Sequence, residues 1–235
     1  MDSWSSATPV TSTRTGEFMA AVYRWMAFGL ALTGMVAWAV TNSPGILSAF
    51  YVIQDGRIAG STGLMWITII AWFVIGLAFT PVAMRASIGI AVGMFLTYCA
   101  LTGLVFSSVL LQYTGASVAS TLFVTAGSFF GLSLYGTMTK RDLSGMRSFL
   151  LIGLIGIILA GIVNIFLRNS AVEFVISCAG VLIFAGLTAY DTQKLRALAQ
   201  TGEERHALIG ALALYLDFIN LFLFLLRFMG RRRND

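Results

Sequence analysis

Charge is what this 235-residue chain has least of. Asp, Glu, Lys and Arg make up 11 % of it, while 58 % is hydrophobic. Soluble domains carry about 25 % charged residues, so this scarcity excludes a water-soluble fold. Cysteine is nearly absent, and both copies, Cys99 and Cys178, fall inside apolar runs. They read as small buried hydrophobes; neither a disulfide framework nor a metal site is supported. The single histidine, His206, stands beside Glu203 and Glu204 and reads as a solvated turn residue. No Gly-x-Ser-x-Gly or His-Glu-x-x-His occurs, which leaves serine and zinc proteases unsupported. The first 20 residues lack an apolar core, so no cleavable signal peptide is expected. No internal repeat is evident, and with it goes the inverted-repeat signature of a transporter.

What is present is apolar length. Seven runs, about 25–43, 62–84, 88–111, 118–138, 148–167, 172–195 and 206–229, are each long enough to cross a bilayer, which takes about 20 residues. Continuous runs, rather than alternating strands of about ten residues, indicate helices and not a barrel. The expected protein is therefore an all-α integral membrane protein with seven transmembrane helices. Residues 1–20 read as a mobile cytoplasmic tail ending in an amphipathic lead-in, 21–230 as the seven-helix domain and 231–235 as a basic tail. Trp25 and Trp38 suit the two interfaces of the first span. Asn42-Ser43-Pro44-Gly45 punctuates the chain, and a loop carrying Asp55 and Arg57 runs to Ser61. Gly89/Gly93, Gly127/Gly131 and Gly153, Gly156, Ala160 and Gly161 have the small-residue spacing that lets helices approach closely in lipid.

The net charge of +5 is no nucleic-acid signal, because the basic residues lie at span ends. Arg14, Arg24, Arg85, Lys140, Arg141, Arg147, Lys194, Arg196 and Arg205 share one side. Only Arg57 and Arg168 precede the C-terminal tail on the other. The positive-inside rule then puts the N-terminus in the cytoplasm. Arg231-Arg232-Arg233 conflicts with that count: either the last run is re-entrant, or it crosses and the earlier charges outvote the tail. The length of Ala207–Met229 favours crossing. Lys140-Arg141-Asp142 reads as a solvated cytoplasmic loop, and Glu173 as a residue at the outer end of the sixth span with a weak attraction for cations.

Two acids resist this frame. Asp191 and Asp217 lie inside the sixth and seventh runs, and their midpoint, 204, falls in the turn Thr201-Gly202-Glu203-Glu204. A helical hairpin would bring them to matching heights. A charge at mid-helix costs roughly 2.5–3.5 kcal/mol on the insertion scale, so a matched pair calls for a reason. Two carboxylates in contact cannot both ionise cheaply and titrate as a unit. Sharing a proton, they hold two helices together; losing it, they repel or accept a cation. Carboxylate oxygens suit a hard ion such as calcium. Thr188 precedes Asp191 and Asn220 follows Asp217 on the same helix faces. Arg85 ends the second span on the side nearer Asp191, where it is either a topology-setting charge or a latch on one aspartate. Intramembrane aspartyl proteases also pair aspartates on their sixth and seventh spans, and Ala189-Tyr190-Asp191 fits one half of their pattern. Leu214-Tyr215-Leu216-Asp217 lacks the Gly-x-Gly-Asp of the other half, and no Pro-Ala-Leu follows. No enzyme activity is expected.

Gly186-Leu-Thr-Ala-Tyr-Asp191-Thr-Gln, then Ala213-Leu-Tyr215-Leu-Asp217-Phe-Ile-Asn220-Leu-Phe, together with Thr139-Lys140-Arg141-Asp142-Leu143-Ser144, resemble the signature of the transmembrane Bax inhibitor motif family. The resemblance runs from Phe18 to Gly230 and suggests a prokaryotic member. It implies a last helix that is central and wrapped by the other six, and a pH-sensitive calcium leak. The family's di-aspartyl sensor falls on Asp191 and Asp217, and its latching arginine on Arg85. Some relatives carry a glutamate near the position of Val74, where the second span here has no acid. The resemblance also brings a bacterial membrane protease partner, so a membrane interaction protein is the alternative to a channel. Expected partners are the bilayer of the inner membrane, calcium ions and protons.

Overall fold

A computed structural model describes residues 12–54, 57–199 and 204–233. Its helices are α1 (Ser12–Asn42), α2 (Pro44–Phe50), α3 (Gly63–Ala83), α4 (Ile88–Gln112), α5 (Gly115–Met138), α6 (Arg147–Leu167), α7 (Ser170–Leu198) and α8 (Glu204–Met229). Seven of these, all but α2, are long and apolar enough to cross a membrane. Short polar side chains set where they start, each covering a backbone N–H that the first turn leaves unpaired. Thr62, Ser87, Thr114 and Asn169 cap α3, α4, α5 and α7 in this way.

Two expectations change. Residues 12–20 are not tail: they form the start of α1, and Phe18, Met19 and Val22 are buried in the main core. The lead-in is a helical extension that brings apolar residues to the bundle; residues 1–11 lie outside the described region. The stretch after Asn42 is not a plain loop. It forms α2 and an antiparallel hairpin, β1 (Tyr51–Gln54) with β2 (Arg57–Ser61). Tyr51 roots the hairpin, because its side chain is buried and its hydroxyl meets Ser107 Oγ at 2.8 Å. Asp55 lies outside the described residues.

α8 is the axis of the bundle. Of its apolar window 67 % is buried inside the protein, against 33 % or less for every other span. It packs against α1, α3, α4, α5 and α7, while α6 leans chiefly on α7. α6 joins the axis through a small cluster of Ile157, Ile183, Phe184 and Leu221. Around α8 the core is aromatic: Tyr215 is fully buried, edge-on to Phe95 and Tyr98 at 6.3 and 6.2 Å. Its hydroxyl reaches Thr33 Oγ1 at 2.7 Å, and Thr33 donates in turn to the Cys99 carbonyl oxygen. Trp25 also packs inward, 6.0 Å from Phe95, whereas Trp38 is exposed.

The anticipated glycine spacings do not mark the close approaches. A Cβ added at Gly89, Gly93, Gly127, Gly131, Gly156 or Gly161 would meet nothing within 4 Å; in that set only Gly153 faces a neighbour, Ile183. The backbones meet elsewhere. A Cβ at Gly103 would come within 2.6 Å of the Thr33 carbonyl oxygen, and one at Gly136 would press on the carbonyl of Ala189.

α8 is long and apolar enough to cross and runs the length of the bundle without turning back, and the chain beyond it docks at the far end, on the ends of α4 and α5. Arg231 accepts from the Thr114 amide at 3.1 Å, and the Arg233 amide donates to the Gln112 carbonyl oxygen at 2.9 Å. Arg232 pairs with Glu173 at 3.1 Å. Glu173, its side chain 43 % exposed, is thus paired with the tail. We call this the far face, and the face holding the α3–α4, α5–α6 and α7–α8 connections the near face. At the far face α6 turns into α7 through two residues. Arg168 takes a left-handed backbone (φ 49°, ψ 38°), and the Asn169 side chain accepts from the amides of Ala171 and Val172.

Candidate functional site

α7 and α8 run antiparallel. Their register is set where a side chain of one helix fills a position of the other that lacks a Cβ: Phe224 of α8 against Gly180 of α7, and Leu195 of α7 against Gly210 of α8. In that register Asp191 and Asp217 fall within about a turn of equal height. The matching heights anticipated from the spacing thus hold to about one turn, on two helices that pack against each other.

The partners differ in setting. Asp217 is buried, 4 % exposed, and its Oδ2 has no hydrogen-bond partner. Asp191 is half-buried. The cation acting on Asp191 is Lys194, three residues along α7; that i, i+3 spacing was visible in the sequence. Arg85 is exposed in the turn after α3 and makes no ion pair with either aspartate. The neighbouring Met84 carbonyl oxygen is held by Arg205 Nη1 at 2.8 Å, so the turn bearing Arg85 is tethered to the first turn of α8. His206, expected to be solvated, is half-buried on that same turn.

The supporting polar residues are occupied within their own helices. Thr188 donates to the Phe184 carbonyl oxygen at 2.8 Å, and Asn220 Nδ2 to that of Leu216 at 2.8 Å. Neither quenches the orphaned oxygen of Asp217. Next to Asp191, Thr192 meets Ser133 Oγ at 3.1 Å, and Ser133 is bonded to the Tyr23 hydroxyl, a polar chain linking α7, α5 and α1. Gln193, two residues from Asp191, clamps the α5–α6 connection. Its Oε1 accepts from the Leu143 amide at 2.8 Å and its Nε2 donates to the Arg141 carbonyl oxygen at 2.8 Å. That connection is thus fixed to α7, although Lys140 and Arg141 remain exposed as expected. The sequence carried no signal for the Gln193 clamp, which depends on tertiary placement.

As metal ligands the aspartates stand alone. Among the described residues no group of three or more His, Cys, Asp or Glu side chains could hold an ion. Calcium takes six to eight oxygens, so two carboxylates suit an ion in passage better than a resident one. Both cysteines are free thiols.

A helical bundle with seven spans long and apolar enough to cross a membrane, built around a buried axial helix that carries a buried aspartate, defines the class: a polytopic all-α membrane protein. The family model described as "Inhibitor of apoptosis-promoting Bax1" matches residues 15–234. The chain is 43 % identical over 242 residues to the inner membrane protein YbhL of Escherichia coli K12, covering 99 % of this chain and 100 % of the relative. It is 44 % identical over 232 residues to an uncharacterised protein of Caulobacter vibrioides, covering 92 % and 89 %. A third relative, from Borreliella burgdorferi, is 41 % identical over 225 residues, covering 93 % and 94 %. The chain belongs to the Bax inhibitor family.

Proposed function

We propose that this protein is a pH-sensitive cation leak channel of the inner membrane, gated by Asp191 and Asp217. The observation that carries the reading is the buried Asp217 oxygen without a partner, on the helix that packs against the one bearing Asp191. An unpaired buried charge is costly, and a shared proton or a passing cation would relieve it. With one proton shared, the carboxyls hold α7 against α8. With none, two like charges oppose each other in a low-dielectric interior, the helices part, and a cation passing between them is stabilised. Calcium is the ion that the family resemblance implies and that carboxylate oxygens favour. The route has no second acid in α3, where Val74 is exposed and apolar.

In this reading Arg85 is the latch of another state. Its turn is tied to α8 through Arg205, so a movement of α8 carries Arg85 with it. The basic residues of the near face set that face in the cytoplasm, and YbhL's name supports an inner-membrane site. No catalytic role is assigned to the aspartates.

Calcium flux into proteoliposomes tests the gate. Flux through the unaltered protein should rise as pH rises and the pair loses its shared proton, and Asp217→Asn should abolish that dependence. If the variant leaves both flux and pH profile unchanged, the gate is wrong. The alternative, a membrane interaction protein acting on a membrane protease, then becomes the better account.

A further inference from the structure

At the far face, α4 and α6 do not close on one another. α4 packs on α1, α3 and α8, while α6 leans on α7. Between them lies a cleft of about 630 Å³ floored by α8. Its chemistry is divided. One end holds three guanidiniums, Arg168, Arg227 and Arg232, and a single carboxylate, Glu173. Glu173 is engaged by Arg232 at 3.1 Å, so the positive charge of Arg168 and Arg227 has no carboxylate to offset it among the described residues. Arg227 is steadied over the Phe224 ring at 5.7 Å. Arg168 stands at a left-handed backbone position that favours glycine, and its guanidinium lines the cleft. The other end is apolar, lined by Gly161 and Ile165 of α6. Ile165 is also 68 % exposed, so this wall, with Asn164 beside it, opens onto the outer surface of the bundle.

We propose that this cleft binds one anionic phospholipid, its phosphodiester on Arg168 and Arg227 and an acyl chain along the Gly161–Ile165 face of α6. Guanidinium forks pair with phosphate oxygens in two-point contacts. The apolar wall singles out a lipid over a free phosphate, which has no use for it. A choline headgroup carries its own cation against the two arginines, so the site favours phosphatidylglycerol over phosphatidylcholine. Nothing in this proposal depends on the gate.

The full chain, purified in detergent and examined by native mass spectrometry with added dioleoyl phosphatidylglycerol or dioleoyl phosphatidylcholine, tests it. The unaltered protein should retain one phosphatidylglycerol selectively, and the same lipid should raise its thermal midpoint. Arg168→Gln/Arg227→Gln should lower retention about tenfold or more through loss of charge-assisted pairs. Gly161→Leu removes no charge, and a Cβ at 161 starts in open space, with nothing within 4 Å, so the side chain fills the apolar end and should displace the lipid as well. Equal retention of the two lipids overturns the proposal, as does undiminished retention in Gly161→Leu, which decides alone if the double variant does not fold. Inorganic phosphate matching the effect of phosphatidylglycerol on the thermal midpoint would make this a simple anion site and also overturn it.

Discussion

At the scale of single residues, the position most tightly constrained near Asp191 is a glycine that no spacing rule picks out. Gly136 of α5 lies against the carbonyl of Ala189, two residues from Asp191, and any Cβ there pushes on backbone instead of a side chain that can yield. Gly136→Ala should therefore part α5 from α7 and destabilise the protein by about 1–3 kcal/mol, the usual range for overpacking. Reversible unfolding in mixed micelles measures this, and an unchanged midpoint would show that α5 yields. The acids at 191 and 217 were legible because charge in an apolar run is conspicuous. Lys194 was equally visible but was counted only toward topology. Gly136 was not legible at all: its meaning comes from Ala189, which is 53 positions away. For the same reason Gly127 and Gly131, correctly spaced for a helix interface, face open space.

At the scale of elements, the spans were readable because hydropathy sets their length and short polar caps set their starts. The exceptions are instructive. Residues 12–20 are polar enough to look like tail, yet Phe18, Met19 and Val22 sit on one face of a helix that the bundle covers. The hairpin of β1 and β2 escaped notice because it is short and largely exposed, with its anchor in a tertiary contact from Tyr51 to Ser107. The α5–α6 connection makes a prediction with a definite sign. Asp142 Oδ1 accepts from the Ser144 amide at 2.9 Å and Oδ2 from the Ser144 hydroxyl at 2.8 Å. These bonds, the amide foremost, hold its carboxyl below the ordinary value of 3.8. A group whose pKa is lowered by folding contributes stability that is fully present above its unfolded value and is lost as pH falls through the folded one. Order in residues 139–146 should persist at neutral pH and loosen only below 3.8. Amide exchange at Leu143 and Ser144 measures it. Asp142→Asn should remove this acid step without changing any pH response of flux, which separates it from the gate.

At the scale of the molecule, the two faces are built differently. The near face ties its turns together with side chains: Arg205 to Met84, Gln193 to the 139–143 connection, and Arg196 to the Thr137 carbonyl oxygen. The far face uses the end of the chain as a strap, with backbone bonds from residues 231 and 233 to 112 and 114. A chain ending at Gly230 loses those bonds and the Arg232–Glu173 pair, and its thermal unfolding should reflect a loss of about 1–3 kcal/mol, given 0.5–1.5 for each partly exposed hydrogen bond. A midpoint equal to that of the full chain would mean the strap is ornamental. Full crossing by α8 was favoured from its length, but the strap was hidden, because three arginines after a span look like a topology signal and not like a ligand for a sheet-like backbone contact.

The axial position of α8 has a consequence for how the protein is made. Ribosomes deliver helices in order, so the six spans from α1 to α7 reach the bilayer before the segment that fills their centre. While they wait, Thr33, Tyr98, Thr102 and Phe95 face a site with no occupant. The half-built protein must keep that central slot open to lipid or to an insertion factor, and Tyr215 can find Thr33 only after nearly the whole chain has been translated.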